Sequence, residues 1–152
     1  MILHGKLYGY AEHDECLKSY RGQRVFCNNR KARNNGCGRT FSVWAADKLR
    51  RMRLGANALW TFLKLVLHLG NKAHALRALD ADLSVSSAYR IWKRFANGQS
   101  HIRTALARCC PPPSLPHARR PEDQTLAHMK AAFPAAPCPI VAFQHGLQVA
   151  FL

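Results

Sequence analysis

Through the middle of the chain, apolar residues recur at helical spacing. In Leu59-Trp60-Thr61-Phe62-Leu63-Lys64-Leu65-Val66-Leu67 most of the helix circumference is apolar. Residues 58–69 therefore read as a well-covered helix, capped at Asn57 and stopped by Gly70-Asn71. Ala88, Ile91, Trp92 and Phe95 fall at i, i+3, i+4 and i+7 and give a second amphipathic helix over 85–96. Ser84 or Ser86 would cap it and Asn97-Gly98 would end it. Between these two lie a short helix over 72–79 and the turn Asp80-Ala81-Asp82. A short basic helix over 47–54, ending at Gly55, precedes them, and Ser100 is placed to cap a last helix reaching about Arg108.

The pattern changes on either side. Residues 1–44 are rich in Gly, Asn, Arg, Cys and aromatics, with β-like pieces such as Arg24-Val25-Phe26 and Thr40-Phe41-Ser42-Val43. Residues 109–152 begin Cys109-Cys110-Pro111-Pro112-Pro113, and Pro returns at 116, 121, 134, 137 and 139. Such a density of proline predicts an extended, loosely ordered tail. The apolar end, residues 140–152, could dock as a strand or short helix, or be a non-native reading-frame ending. The expected fold is α+β, mainly α: a small ribbon over 1–44, a helical module over 45–108, and the Pro-rich tail over 109–152.

Charge narrows the function. Among 152 residues, 23 Lys and Arg face 8 Asp and Glu, for a formal charge of +15. Residues 18–53 hold eleven of the cations against the single acid Asp47. Solubility does not call for such one-sidedness, whereas phosphate binding does. No apolar run reaches the roughly 18 residues of a membrane span. The six Cys are too sparse for a disulfide framework and no basic-then-apolar leader is evident. A cytoplasmic, nucleoid-associated protein with reduced thiols is expected. Walker, Gly-x-Ser-x-Gly and His-Glu-x-x-His motifs are all missing, and the eight acids are not placed as a catalytic triad, so no enzyme is expected.

Two constellations carry chemistry. His13, Cys16, Cys27 and Cys37 are candidate ligands for a structural zinc ion. His13-Asp14-Glu15-Cys16 has the two-residue gap of a knuckle, and Gly36 and Gly38 would permit the turn around Cys37. The Cys27–Cys37 gap is nine residues rather than two, which requires a polar loop between them. A ribbon of about 40 residues gains most from such an ion, because its own core is small.

The second constellation is the polar side of the 85–96 helix. Ser86, Tyr89, Arg90, Lys93, Arg94 and Asn97 are residue types that bond phosphates and base edges. A short helix and turn before such a segment fit a helix-turn-helix. Arg30, Lys31, Arg33, Arg50, Arg51 and Arg53 would sit on phosphates. Trp44, Trp60 and Trp92 read first as core, while Tyr20, Phe26, Phe41 and Trp44 alternate with cations and could stack on bases.

A ribbon closing on Gly36-Cys37-Gly38-Arg39-Thr40-Phe41-Ser42, followed by a helical segment containing Ser86-Ser87-Ala88-Tyr89-Arg90-Ile91-Trp92-Lys93-Arg94-Phe95, resembles the N-terminal DNA-binding part of bacterial insertion-sequence transposases. The resemblance covers about residues 13–108. It implies recognition of duplex DNA at mobile-element ends. Strand transfer would belong to a separate catalytic subunit, since the chain turns Pro-rich where a ribonuclease-H-like domain would begin. A self-dimer is a further expected partner. The alternatives are an RNA- or ribosome-associated zinc protein and a protein-interaction remnant.

Overall fold

The computed structural model describes residues 1–11, 16–28, 36–116 and 120–152. Strands β1 (Ile2–Tyr10), β2 (Lys18–Phe26) and β3 (Thr40–Trp44) form one antiparallel sheet in the order β1-β2-β3. Two irregularities interrupt the β1–β2 pairing: His4 is an extra residue in β1 between Leu3 and Gly5, and Arg21 is an extra residue in β2, opposite the step from Leu7 to Tyr8. Gly22 sits at φ 156°, and a Cβ there would run into the Val43 carbonyl, so the close approach of β3 requires glycine.

Five helices follow: α1 (Ala56–Leu69), α2 (Lys72–Ala78), α3 (Val85–Leu106), α4 (Pro121–Ala132) and α5 (Pro139–Leu147). The expected α+β class, dominated by helix, is what the chain adopts. Helix α1 starts behind Gly55 rather than Asn57 and closes at Gly70, which takes φ 67° and donates its N–H to the Val66 carbonyl. Asn71 caps α2, its side chain accepting from the Ala73 and His74 amides at 2.9 and 3.1 Å.

Three expectations are corrected. Residues 47–54 are not helical. Arg51 takes φ 58°, a left-handed value that no helix continues through, and the segment is pinned by buried Leu49, Met52 and Leu54. Helix α3 does not stop at Asn97-Gly98, and Ser100 lies within it rather than capping a new one. Its buried side runs on through Phe95, Gln99, Ile102 and Leu106, and that burial outweighs the roughly 1 kcal/mol propensity cost of one glycine.

The third correction concerns residues 109–152, which are not a loose tail. Pro121 and Pro139 stand in the first turns of α4 and α5, where the missing N–H costs nothing and the fixed φ suits a helix. Leu126, Met129, Ile140, Phe143 and Phe151 are buried in the core beside Leu59, Phe62, Leu63, Phe95 and Ile102. Phe151 lies between Phe95, stacked at 6.2 Å, and Phe143, edge-on at 5.6 Å. Gln144 donates to the Ala46 and Lys48 carbonyls and accepts from the Phe151 amide, tying α5 to the segment before α1. The apolar end therefore docks, α5 as a short helix and Phe151 as an anchor. Among the described residues, no helix is long and apolar enough to cross a membrane.

Candidate nucleic-acid interface

The first turn of α3 is built by serines. Ser84 caps the helix, accepting from the Ser87 amide at 3.3 Å, and its hydroxyl lies 2.9 and 3.0 Å from those of Ser86 and Ser87. This fixes the helix start and the rotation of the face that follows. Ala88, Ile91 and Phe95 turn into the core as the spacing requires, while Trp92 is half-buried. The opposite face leaves Ser86, Tyr89, Arg90, Lys93, Arg94 and Asn97 exposed along three turns.

Beside that face lies a cleft of about 290 Å³. Arg51, Met52, Arg53 and Leu54 form one wall, and Leu83, Ser87, Arg90, Ile91 and Arg94 the other. Four arginines from two separate segments thus line one cleft, and among the described residues no Asp or Glu lines it. Arg53 pairs with the exposed Asp82 at 3.4 Å, and Arg90 donates to the Ser87 hydroxyl at 3.1 Å. These contacts aim two of the four groups. The left-handed turn at Arg51 brings the first wall round to the second, while buried Met52 and Leu54 hold it there. Guanidinium groups repel one another at short range, and an anion in the cleft reverses that sign.

No protein-family model, curated protein or solved structure matches the chain. Its own geometry therefore carries the functional reading.

Of the residues expected on nucleic acid, the structure brings Arg51, Arg53, Arg90 and Arg94 together. Ser86, Tyr89, Lys93 and Asn97 lie on the adjoining α3 face, and Arg50 is exposed on the segment next to Arg51. Arg30, Lys31 and Arg33 lie outside the described residues. Sequence reasoning misses Ser87 and Lys72. Ser87 is legible in principle, three residues before Arg90 on the same face. Lys72 is not: its ammonium lies over the Tyr89 and Trp92 rings at 5.3 and 5.6 Å, a meeting that needs the α2–α3 packing.

Of the expected metal ligands within the described residues, Cys27 and Cys37 come together and Cys16 does not join them. Cys27 and Cys37 meet where β2 leads to β3, the Cys37 amide donating to the Cys27 sulfur at 3.3 Å. The Gly38 amide donates to the Cys27 carbonyl, and the Cys27 amide to that of Arg39. Cys16 lies beyond the other end of β2, a strand whose 9 residues span about 25 Å. Zinc–thiolate bonds of about 2.3 Å cannot bridge that separation. His13 lies outside the described residues, and among those described no group of three His, Cys, Asp or Glu could hold a metal ion. The described residues therefore do not fit the four-ligand zinc site.

Proposed function

We propose that the chain is a DNA-binding protein that docks duplex DNA on the exposed face of α3 and the arginine cleft beside it. The carrying observation is the convergence of Arg51, Arg53, Arg90 and Arg94 on one cleft at the start of a helix whose outer face is polar and basic. In this reading the cleft holds backbone phosphates, and Tyr89, Lys93 and Asn97 lie along the groove where base edges are read. The order α2, connection, α3 supports a helix-turn-helix use of α3, with a connection over 79–84 that is longer than the usual three to four residues. The transposase-like motifs around Cys37 and Tyr89 favour the ends of a mobile element as the target. A separate catalytic subunit would supply strand transfer.

Titrating a labelled duplex with the full chain at several salt concentrations tests this. With about six to ten phosphates engaged, affinity falls by roughly 10³ to 10⁵ between about 50 and 200 mM salt. Replacing both Arg90 and Arg94 by Glu weakens binding to all sequences and flattens the salt slope by about one for each phosphate no longer engaged. A slope near zero in the unaltered protein would falsify the reading.

A further inference from the structure

The sheet has two unlike faces. Arg21 is 6% exposed, and its guanidinium donates to the Met52 and Tyr10 carbonyls, binding the sheet to the segment before α1. A Cβ on Gly9 would collide with the Arg21 side chain, so the Gly9 side of β1 is the side turned to the helices. Tyr8 and Tyr10 flank Gly9 and, by the alternation of a strand, point the other way. Tyr20 stands directly across from Tyr8, and Lys18 across from Tyr10. The Tyr8 and Tyr20 rings meet edge-to-face, with centroids 6.4 Å apart at 80°. Tyr8, Tyr10 and Tyr20 are 57%, 55% and 47% exposed, which is unusual for three neighbouring rings on one small sheet.

We infer that this outer sheet face is a second nucleic-acid site, a stacking platform on which Tyr8 and Tyr20 receive the unpaired bases of a single strand. Aromatic rings accept any base on their faces, and cations nearby track the backbone. Lys18 lies across from Tyr10 on this face, and Lys6, two residues before Tyr8 on the same strand, is exposed on it as well. The described residues of the three strands include no acid. The platform lies on the opposite side of the sheet from the Arg21 anchor. It is therefore a surface separate from the α3 cleft, and it stands whether or not α3 reads duplex DNA.

The test uses the full chain, a labelled oligothymidylate and a labelled duplex, each titrated separately. Tyr8→Ala and Tyr20→Ala each weaken oligothymidylate binding by about tenfold and leave duplex binding unchanged, while Tyr8→Phe and Tyr20→Phe retain both. A bromodeoxyuridine-substituted strand, irradiated with the unaltered protein, crosslinks to the peptides holding Tyr8 and Tyr20; this readout does not depend on the variants folding. Crosslinks confined to α3, or alanine variants that bind the single strand as tightly as the parent, overturn the proposal. So does a sedimentation shift showing that the alanine variants dissociate a dimer, because the face would then join two copies. Loss of duplex binding in the Arg90/Arg94 double Glu variant, with single-strand binding kept, separates failure of either site from failure of the other.

Discussion

The helical region and the sheet are held together by different means. Among the described residues, every buried apolar side chain lies between Leu49 and Phe151, and none lies in β1, β2 or β3. The sheet keeps its shape through two hairpins of backbone hydrogen bonds and fastens to the rest through Arg21 and the Ala45 amide, which donates to the Arg21 carbonyl. The helices close a core that needs nothing from the strands. Stability is therefore concentrated where α3 must be held rigid, and the sheet is left with aromatic surface facing solvent. A region that contributes little to the core can change its outer side chains at little cost to folding.

The sharpest way to break this contrast is to remove an anchor from the C-terminal segment. Phe151→Ala takes a ring from between Phe95 and Phe143 and leaves a cavity in the core. It should cost about 3–5 kcal/mol in denaturant unfolding. A loss below about 1 kcal/mol would show that the helical core closes without residues 109–152. The next effect belongs to the sheet. Arg21→Ala removes a charged donor from two carbonyls, each such bond worth about 1.5–3 kcal/mol. Hydrogen exchange in β1 and β2 should accelerate while α1 and α3 keep their protection, because the helical core does not include the strands. Equal acceleration everywhere would mean that the two regions unfold as one.

Much of this contrast can be read from the residues, and the parts that cannot have identifiable causes. The α1 stripe and the inward set Ala88, Ile91 and Phe95 are legible because helical periodicity is local. Arg90 and Arg94 are recognisable on the same grounds. Their meeting with Arg51 and Arg53 is not, since it depends on one left-handed residue, Arg51, in a segment whose basic composition resembles a helix. The proline content of residues 109–152 points the wrong way because position decides its effect: Pro121 and Pro139 begin helices rather than interrupt them. Cysteine spacing suggests one metal site, yet β2 is extended from end to end and holds Cys16 away from Cys27. Spacing along a chain becomes spacing in space only once the element between two residues is known.

Two smaller changes sharpen the view of α3 as the rigid element. Ser84→Ala removes the cap that starts the helix and should cost about 1 kcal/mol, read as a lower thermal midpoint. Duplex affinity should fall with it, because Ser87 and Arg90 take their direction from that first turn.

Gly98→Ala tests the far part of the same helix, with a smaller effect of opposite sign. Glycine within a helix is about 1 kcal/mol less favourable than alanine, so the substitution stabilises wherever the new methyl group has room. At Gly98 that group would lie 3.4 Å from the Leu152 Cδ2 and 3.9 Å from the Ile102 Cδ1. Both distances are ordinary van der Waals contacts, the one to the Leu152 side chain at the short limit. A net gain of about 0.5 kcal/mol is therefore expected, measured by denaturant unfolding. A gain near the full 1 kcal/mol would mean that Leu152 does not rest on α3, and a net loss would mean that its seat there is tight. In either case the sign and size report how firmly the end of the chain holds the helix that carries the basic face.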